Sequence, residues 1–389
     1  MANPSDFSRR DFIKTPLIGA VSVAIGALPG VMAQPVRKPI MRALGKTGIT
    51  LPIVSMGVMN TDAPGLLRRA YEVGIRHFDT AAGYQNGRNE RMVGDVVREL
   101  SVRDKVTVAT KIRASTADGL YAAMEASLAR LQMDGVDIVY LHGARDVEEL
   151  RSPELAAGFA KIKKEGKARF VGFSAHSNQA ALLTEAAGLR AFDVVLIAWN
   201  FTMAGDKALE DAIAQASGRG IGLVAMKTQA GRRRGATPEA ASGSERQTAP
   251  LKWALRNEHI TTAIPGFQAF DHIDQDFPVA FDLSLTDKER QFLGDKATIA
   301  QIGFCRQCGQ CQESCPQRAD IPSLMRVHMY AAEYENWDQA RATYDEIPVA
   351  GNLSACADCE TCSARCVNSV RIAGRIAELK TSLRPGLMA

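Results

Sequence analysis

Cysteine is missing from the first 304 residues of this 389-residue chain. All eight cysteines fall between Cys305 and Cys366, so the long first part cannot rest on disulfides, thiol chemistry or cysteine-held metal. Such segregation predicts two modules with different chemistry. An excess of one charge is missing too: 47 Lys and Arg against 43 Asp and Glu leave a formal charge of +4, which gives no basis for a nucleic-acid groove. Aromatic residues make up only 6%, yet 46% hydrophobic and 23% charged residues over this length suffice for a full-sized core plus an extra module. A small disulfide-stapled scaffold and a disordered polymer are both excluded. Beyond the first 33 residues no apolar run is long enough to span a bilayer, so the mature chain is expected to be soluble.

What is present begins with an address. Ser8-Arg9-Arg10-Asp11-Phe12-Ile13-Lys14 precedes an uncharged stretch from Thr15 to Ala33, and Val31 and Ala33 stand three and one positions before a cut after Ala33. This layout predicts a twin-arginine signal over 1–33, a linker over 34–41, recognition by the twin-arginine export machinery and a periplasmic destination. A transmembrane anchor is the alternative. Gly19, Gly26, Pro29 and Gly30 punctuate the stretch and count against it. Twin-arginine export carries folded proteins, which suits a chain whose cofactor is inserted in the cytoplasm.

From about residue 53 short apolar runs alternate with helical patterns. The runs are Ile53 to Met59, His77 to Thr80, Val106 to Lys111, Ile138 to His142, Phe170 to Ser174, Val194 to Trp199, Gly222 to Lys227 and Thr261 to Pro265. Apolar positions at helical spacing follow at Pro64 to Val73, Ala117 to Leu131 and Ala208 to Ala216. Eight βα units in this length predict an α/β fold, a closed (β/α)8 TIM barrel over 42–296. A doubly wound sheet is the alternative, but no Gly-x-Gly-x-x-Gly turn follows the first run. Barrel chemistry sits at the carboxyl ends of the strands. Asp79, Tyr84, Lys111 and His142 stand at or just beyond three successive run ends, where they can converge on one mouth.

In these residues the chain resembles the aldo/keto reductase family. The resemblance covers about 42–290, through Arg42-Ala43-Leu44-Gly45-Lys46-Thr47-Gly48, His77-Phe78-Asp79-Thr80-Ala81-Ala82-Gly83-Tyr84, Val108-Ala109-Thr110-Lys111, Tyr140-Leu141-His142 and Ile264-Pro265-Gly266. It implies reduction of a small carbonyl substrate, an aldehyde or ketone, by hydride from NADPH or NADH. Tyr84 would be the proton donor, Lys111 and Asp79 its electrostatic support, and His142 would orient the carbonyl. A neighbouring ammonium is expected to bring the phenol's pKa, ordinarily about 10, toward the working pH.

The resemblance also implies a nicotinamide pocket, and here the residues depart from the family. Ser174 matches the carboxamide contact, but Ala175 stands where Asn is usual and Leu196 where Gln is usual. Met226, with Lys227 beside it, replaces the stacking aromatic. Gly266 and His272 take the places of basic phosphate ligands, while Gln275 and Asp276 take the adenine positions. Gly231 and Arg232 open a loop whose Arg232-Arg233-Arg234 run either contacts phosphate or faces water.

The last part, 297–389, carries Cys305-x-x-Cys308-x-x-Cys311-x-x-x-Cys315-Pro316 and then Cys356-x-x-Cys359-x-x-Cys362-x-x-x-Cys366. Both runs resemble the spacing of bacterial two-cluster ferredoxins. Four disulfides or two zinc sites are the alternatives. Duplicated spacing with no stray cysteine favours two [4Fe–4S] clusters. The ferredoxin pattern implies Cys305, Cys308, Cys311 and Cys366 as one ligand set and Cys356, Cys359, Cys362 and Cys315 as the other. Val367-Asn368 stands where proline is usual in the second run. Helical patterns at Ile321 to Tyr334 and Trp337 to Tyr344 predict a small, mainly helical module rather than a ferredoxin β-fold. A subset of aldo/keto reductase-like proteins carries a similar tail.

Hydride carries two electrons, whereas a [4Fe–4S] cluster passes one at a time. Three readings follow: an exported carbonyl reductase with structural or separately wired clusters; a nicotinamide-independent enzyme supplied through its clusters by a redox partner protein; or a non-catalytic electron-transfer scaffold.

Overall fold

The computed structural model describes residues 37–231, 245–381 and 385–386. The expected export signal and Arg232 lie outside them. From Lys38 onward the described residues form one compact unit.

An antiparallel hairpin, β1 (Met41–Ala43) and β2 (Thr50–Pro52), opens the fold. The Ile40 N–H donates to the Ala280 carbonyl at 2.7 Å, and the Arg42 guanidinium donates to the carbonyls of Leu255, Asn257 and Ile260. The end of the expected linker is therefore part of the barrel, held by hydrogen bonds rather than left free.

Eight parallel strands follow in sequential order: β3 (Met56–Gly57), β4 (His77–Asp79), β5 (Thr107–Ile112), β6 (Val136–Ala144), β7 (Ala168–Ala175), β8 (Val194–Ala198), β9 (Gly222–Met226) and β10 (Thr262–Ala263). Parallel bridges Val54 to Ala263 and Gly57 to Gly266 join the first strand region to the last. Sequential order with closure is the expected barrel and excludes the doubly wound alternative, whose strand order reverses. Strands such as β8 (VVLIA) and β9 (GLVAM) are buried throughout, as strands covered on both faces must be. Gly172 on β7 is there for space, because a Cβ would lie 1.8 Å from the Val194 carbonyl oxygen of β8. The helices Pro64–Val73 and Ala117–Leu131 form where their apolar spacing placed them. Thr116 starts the second by accepting from the Gly119 N–H, which satisfies a donor the helix itself cannot.

The tail lies across the carboxyl ends of the strands. Ile302, at the end of helix Lys296–Ile302, packs with Phe201, Ala230 and Phe292 of the barrel, with Phe304 against them. The Arg306 guanidinium donates to the Thr202 carbonyl, and the Asn336 amide donates to Asn60 and to the Met59 carbonyl. Gly231, in the loop after β9, has φ +72° and so little room that a Cβ would meet Met329 Sδ at 2.7 Å. The tail has its own core of Ile321, Leu324, Val327, Tyr330, Ile376 and Leu379. Helix Ile321–His328 runs into a π-helical turn, Met329–Glu333, before helix Trp337–Asp345. Widened turns of this kind recur at functional sites. This one hangs over the barrel mouth.

Candidate active site

Asp79 ends β4, Lys111 sits near the end of β5, His142 lies on β6, and Tyr84 begins the short turn after β4. The four expected residues meet. The Lys111 ammonium donates to Asp79 Oδ1 and, at 2.7 Å, to the Thr80 carbonyl; both charged side chains are only 2% exposed. Lys111 Nζ lies 4.8 Å from the centre of the Tyr84 ring, and the His142 ring stands edge-on to that ring at 5.8 Å. The Tyr84 hydroxyl has no hydrogen-bond partner among the described residues and opens onto a cavity.

Two neighbours that sequence reasoning missed hold this group. The Thr80 hydroxyl donates to Asn89 Oδ1 at 2.7 Å, and the Asn89 amide donates to the carbonyls of Val58 and Thr61 at 2.9 Å each. On the other side the Thr110 hydroxyl donates to Glu90, which is paired with Arg130 at 2.6 Å. Asn89 and Glu90 sit in the first turn of helix Arg88–Glu99, where polar residues are ordinary. Only their complete burial marks them.

The electrostatics correct one expectation. Burial, and after it the Asp79 carboxylate, pushes the Tyr84 phenol up rather than down. Lys111 is already matched by Asp79, so the phenol faces a neutral pair and a low-dielectric wall instead of a lone cation. Tyr84 therefore keeps its proton through the neutral range and yields it only to a strong base such as a forming alkoxide. Burial, then the charges of Lys111, Arg113 and Arg326, pulls His142 down to about 3, so its ring is neutral and offers one N–H.

The cavity beside Tyr84 is bounded by Met226, Lys227 and Gly266 from the barrel and by Tyr330, Glu333 and Tyr334 from the tail. Of the other expected cofactor contacts, Ser174 is buried and accepts from the Gly143 N–H at 2.9 Å. Gly231 borders a second cavity, and Gln275 is exposed on helix Phe270–Asp276, bordering neither. Leu196 and Ala175 are fully buried and apolar. The rings of Tyr330 and Tyr334 each hold Lys227 Nζ at 4.6 Å from their centres, beside the Met226 position. Ser174 apart, these residues do not fit a nicotinamide held in the family's manner: Ala175 and Leu196 offer no side-chain amide, Met226 no stacking ring, and tail aromatics engaged with Lys227 stand in the mouth.

The second cavity shares His176, Lys227 and Glu333 with the first and reaches Cys305. Arg326, Arg375 and Gln307 also border it. Cys305, Lys227 and Gly231 were singled out from the sequence, but His176, Glu333, Arg326, Arg375 and Gln307 were not, because their convergence needs the tail folded over the barrel.

All eight cysteines are free thiols. Cys305, Cys308, Cys311 and Cys366 line one recess with Ile321, Met325 and Val370; Cys315, Cys356, Cys359 and Cys362 line another with Ile376 and Ala364. Four soft sulfur donors in a mostly apolar cup suit a [4Fe–4S] cube, and the grouping is the exchange of fourth ligands that the ferredoxin pattern implied.

The (β/α)8 barrel with polar side chains gathered at its mouth is the architecture of an oxidoreductase family to which the comparisons assign the chain. Residues 49–248 match the aldo/keto reductase family, and the chain belongs to it. Residues 304–371 match a 4Fe-4S dicluster domain. The chain is 24% identical over 302 residues to L-galactose dehydrogenase of Arabidopsis thaliana, covering 67% of this chain and 94% of that one. It is 28% identical over 279 residues to an uncharacterized oxidoreductase of Bacillus subtilis, covering 67% and 85%. Among solved structures, the holo form of an aldo-keto reductase from Bacillus halodurans shares the barrel fold, with a TM-score of 0.55 and 20% identity over 66% of this chain and 95% of that one.

Proposed function

We propose that this chain is an exported, nicotinamide-independent oxidoreductase that interconverts a small aldehyde or ketone and its alcohol at Tyr84. The observation that carries the reading is the Tyr84 hydroxyl, without a hydrogen-bond partner among the described residues and open to a cavity, with the His142 ring edge-on to the phenol ring and the Lys111–Asp79 pair beside it. Reducing a carbonyl to an alcohol takes two electrons and two protons. The two electrons would arrive in two successive one-electron transfers. Tyr84 gives the proton that ends on oxygen as negative charge grows there, solvent in the open cavity gives the proton that ends on carbon, and the His142 N–H orients and stabilises the oxygen. Lys111, fixed by Asp79 and Thr80, holds the Tyr84 ring in place. The eight cysteines would hold two [4Fe–4S] clusters in the sets Cys305, Cys308, Cys311, Cys366 and Cys315, Cys356, Cys359, Cys362. Bound clusters supply one-electron transfer, and a redox partner protein of the one-electron class is the proposed source. The misfit of the nicotinamide positions and the tail across the mouth support this over the family's usual donor.

Anaerobic purification with iron and sulfide analysis tests the clusters. Titration with NADH and NADPH, followed by nicotinamide fluorescence and cluster absorbance, then tests the electron source. The expected result is no nicotinamide binding and carbonyl turnover with reduced viologen; tight binding and turnover with NADPH or NADH alone would return the site to hydride chemistry. For export, Arg9→Lys with Arg10→Lys is expected to leave the protein in the cytoplasm, read by cell fractionation.

A further inference from the structure

Lys227 is the second lysine in the mouth, and the proton chemistry does not use it. It ends the β9 run with φ +57°, a left-handed backbone that costs a non-glycine residue free energy and persists where the surroundings demand it. Its Nζ rests against Tyr330 and Tyr334 and has no carboxylate partner among the described residues. From the tail helix Ile321–His328 comes Arg326, whose guanidinium has neither a hydrogen bond nor an ion pair among the described residues. The Nε2 atom of His176 is buried without a partner. All three border the chamber between the Tyr84 cavity and Cys305. Arg375 also borders it but is engaged with the carbonyls of Gly303 and Ile302, and Glu333 is the one carboxylate there.

We infer that this chamber is an anion subsite, and that the substrate of the proposed site is a carboxylate-bearing carbonyl compound: an oxo acid, or the matching hydroxy acid in the reverse direction. The inference deepens the function proposed above and rests on Tyr84 marking the reacting end. Two half-buried cations with no carboxylate partner among the described residues, and an imidazole nitrogen buried without one, converge beside Ile302, Phe304, Met325 and Met329, an arrangement that an incoming anion relieves. A carboxylate offers two oxygens to the planar fork of Arg326 and leaves Lys227 as point-charge support. Burial first, then the charges of Arg326 and Lys111, pulls Lys227 down to about 7. The anion belongs to the substrate because the chamber and the Tyr84 cavity share His176, Lys227 and Glu333. One molecule spanning both puts its carbonyl at Tyr84 and its carboxylate at Arg326.

The test is calorimetric binding to the anaerobic, cluster-loaded full chain, so no turnover is needed. The probes are pyruvate and 4-oxopentanoate, which differ in carbonyl-to-carboxylate spacing, each against its uncharged methyl ester, with inorganic phosphate as a third arm. At least one acid is expected to bind about tenfold or more tighter than its ester. Arg326→Gln should remove that preference while leaving ester binding within about twofold, and Arg326→Lys should restore part of it. Iron content checks that each variant is folded. Equal binding of acid and ester, or a preference that survives both Arg326→Gln and Lys227→Met, overturns the subsite. Phosphate binding lost in Arg326→Gln with no preference for either oxo acid overturns the substrate assignment. Tyr84→Phe separates the two proposals: the subsite predicts an intact acid preference in that variant, whereas full turnover there refutes only the proton donor.

Discussion

Two lysines reach the same barrel mouth and have opposite surroundings. Lys111 is fully matched, with a carboxylate on one side and a carbonyl on the other. Among the described residues Lys227 has the faces of two tyrosines, the repulsion of Arg326 and Lys111 and no carboxylate partner. The matched cation is part of the frame that holds Tyr84. The unmatched one is a charge kept in reserve for something that arrives. If that distinction is physical, one kind of substitution must act in opposite directions at the two positions.

The largest effect belongs to the frame's product rather than the frame. Tyr84→Phe keeps the ring against Lys111 and His142 and removes only the acid, so carbonyl turnover should fall by about 10² to 10⁴, with substrate binding and iron content unchanged. Next is Lys111→Met, which leaves Asp79 charged and unpaired in a site 2% exposed. Breaking a buried pair from one side costs about 3–5 kcal/mol, measured by anaerobic urea unfolding of the cluster-loaded protein. Lys111→Met combined with Asp79→Leu should recover most of that stability while restoring no activity. If the single and double variants unfold alike, Lys111 is not matched in the sense argued here.

The matched half of the comparison was legible in the sequence; of the other half only Lys227 itself was, and its surroundings were not. Asp79, Lys111 and His142 are set by strand register, and eight apolar runs place strand ends to within a few residues. Tyr84 follows from a short turn. Arg326, Tyr330 and Tyr334 lie far along the chain, on helix Ile321–His328, in the π-helical turn that ends it and just beyond that turn, a segment whose own pattern records only its packing inside the tail. That this helix covers the barrel depends on contacts such as Asn336 with Asn60 and Met329 with Gly231, which carry no periodicity. The direction of the Tyr84 shift is not legible in the sequence for a related reason: burial sets it first, and the sequence shows Lys111 and Asp79 nearby but not how deeply the phenol is buried beside them. The two groups of four thiols that share a recess follow the spacing of the cysteines, whereas the chamber ending at Cys305 has no such signal in the sequence.

Lys227→Met is the smallest expected effect and the sharpest test of the contrast, because its sign is reversed. Removing an unmatched cation relieves desolvation and repulsion, so the variant should be more stable than the parent by on the order of 1 kcal/mol at pH 7. The pH dependence follows from linkage. The folded-state pKa of Lys227, about 7, lies below its ordinary value of 10.5, so between those values the unfolded chain binds more protons. Stability of the parent should therefore rise with pH through this window, by at most about 1.4 kcal/mol per pH unit, and the variant should lack that rise. The advantage of the variant is thus greatest at or below pH 7 and shrinks toward pH 9. A saturating oxo acid should flatten the parent's rise, because a bound carboxylate keeps Lys227 protonated. A variant less stable than the parent at pH 7 would mean that Lys227 already has its partner, and the two lysines would then be alike.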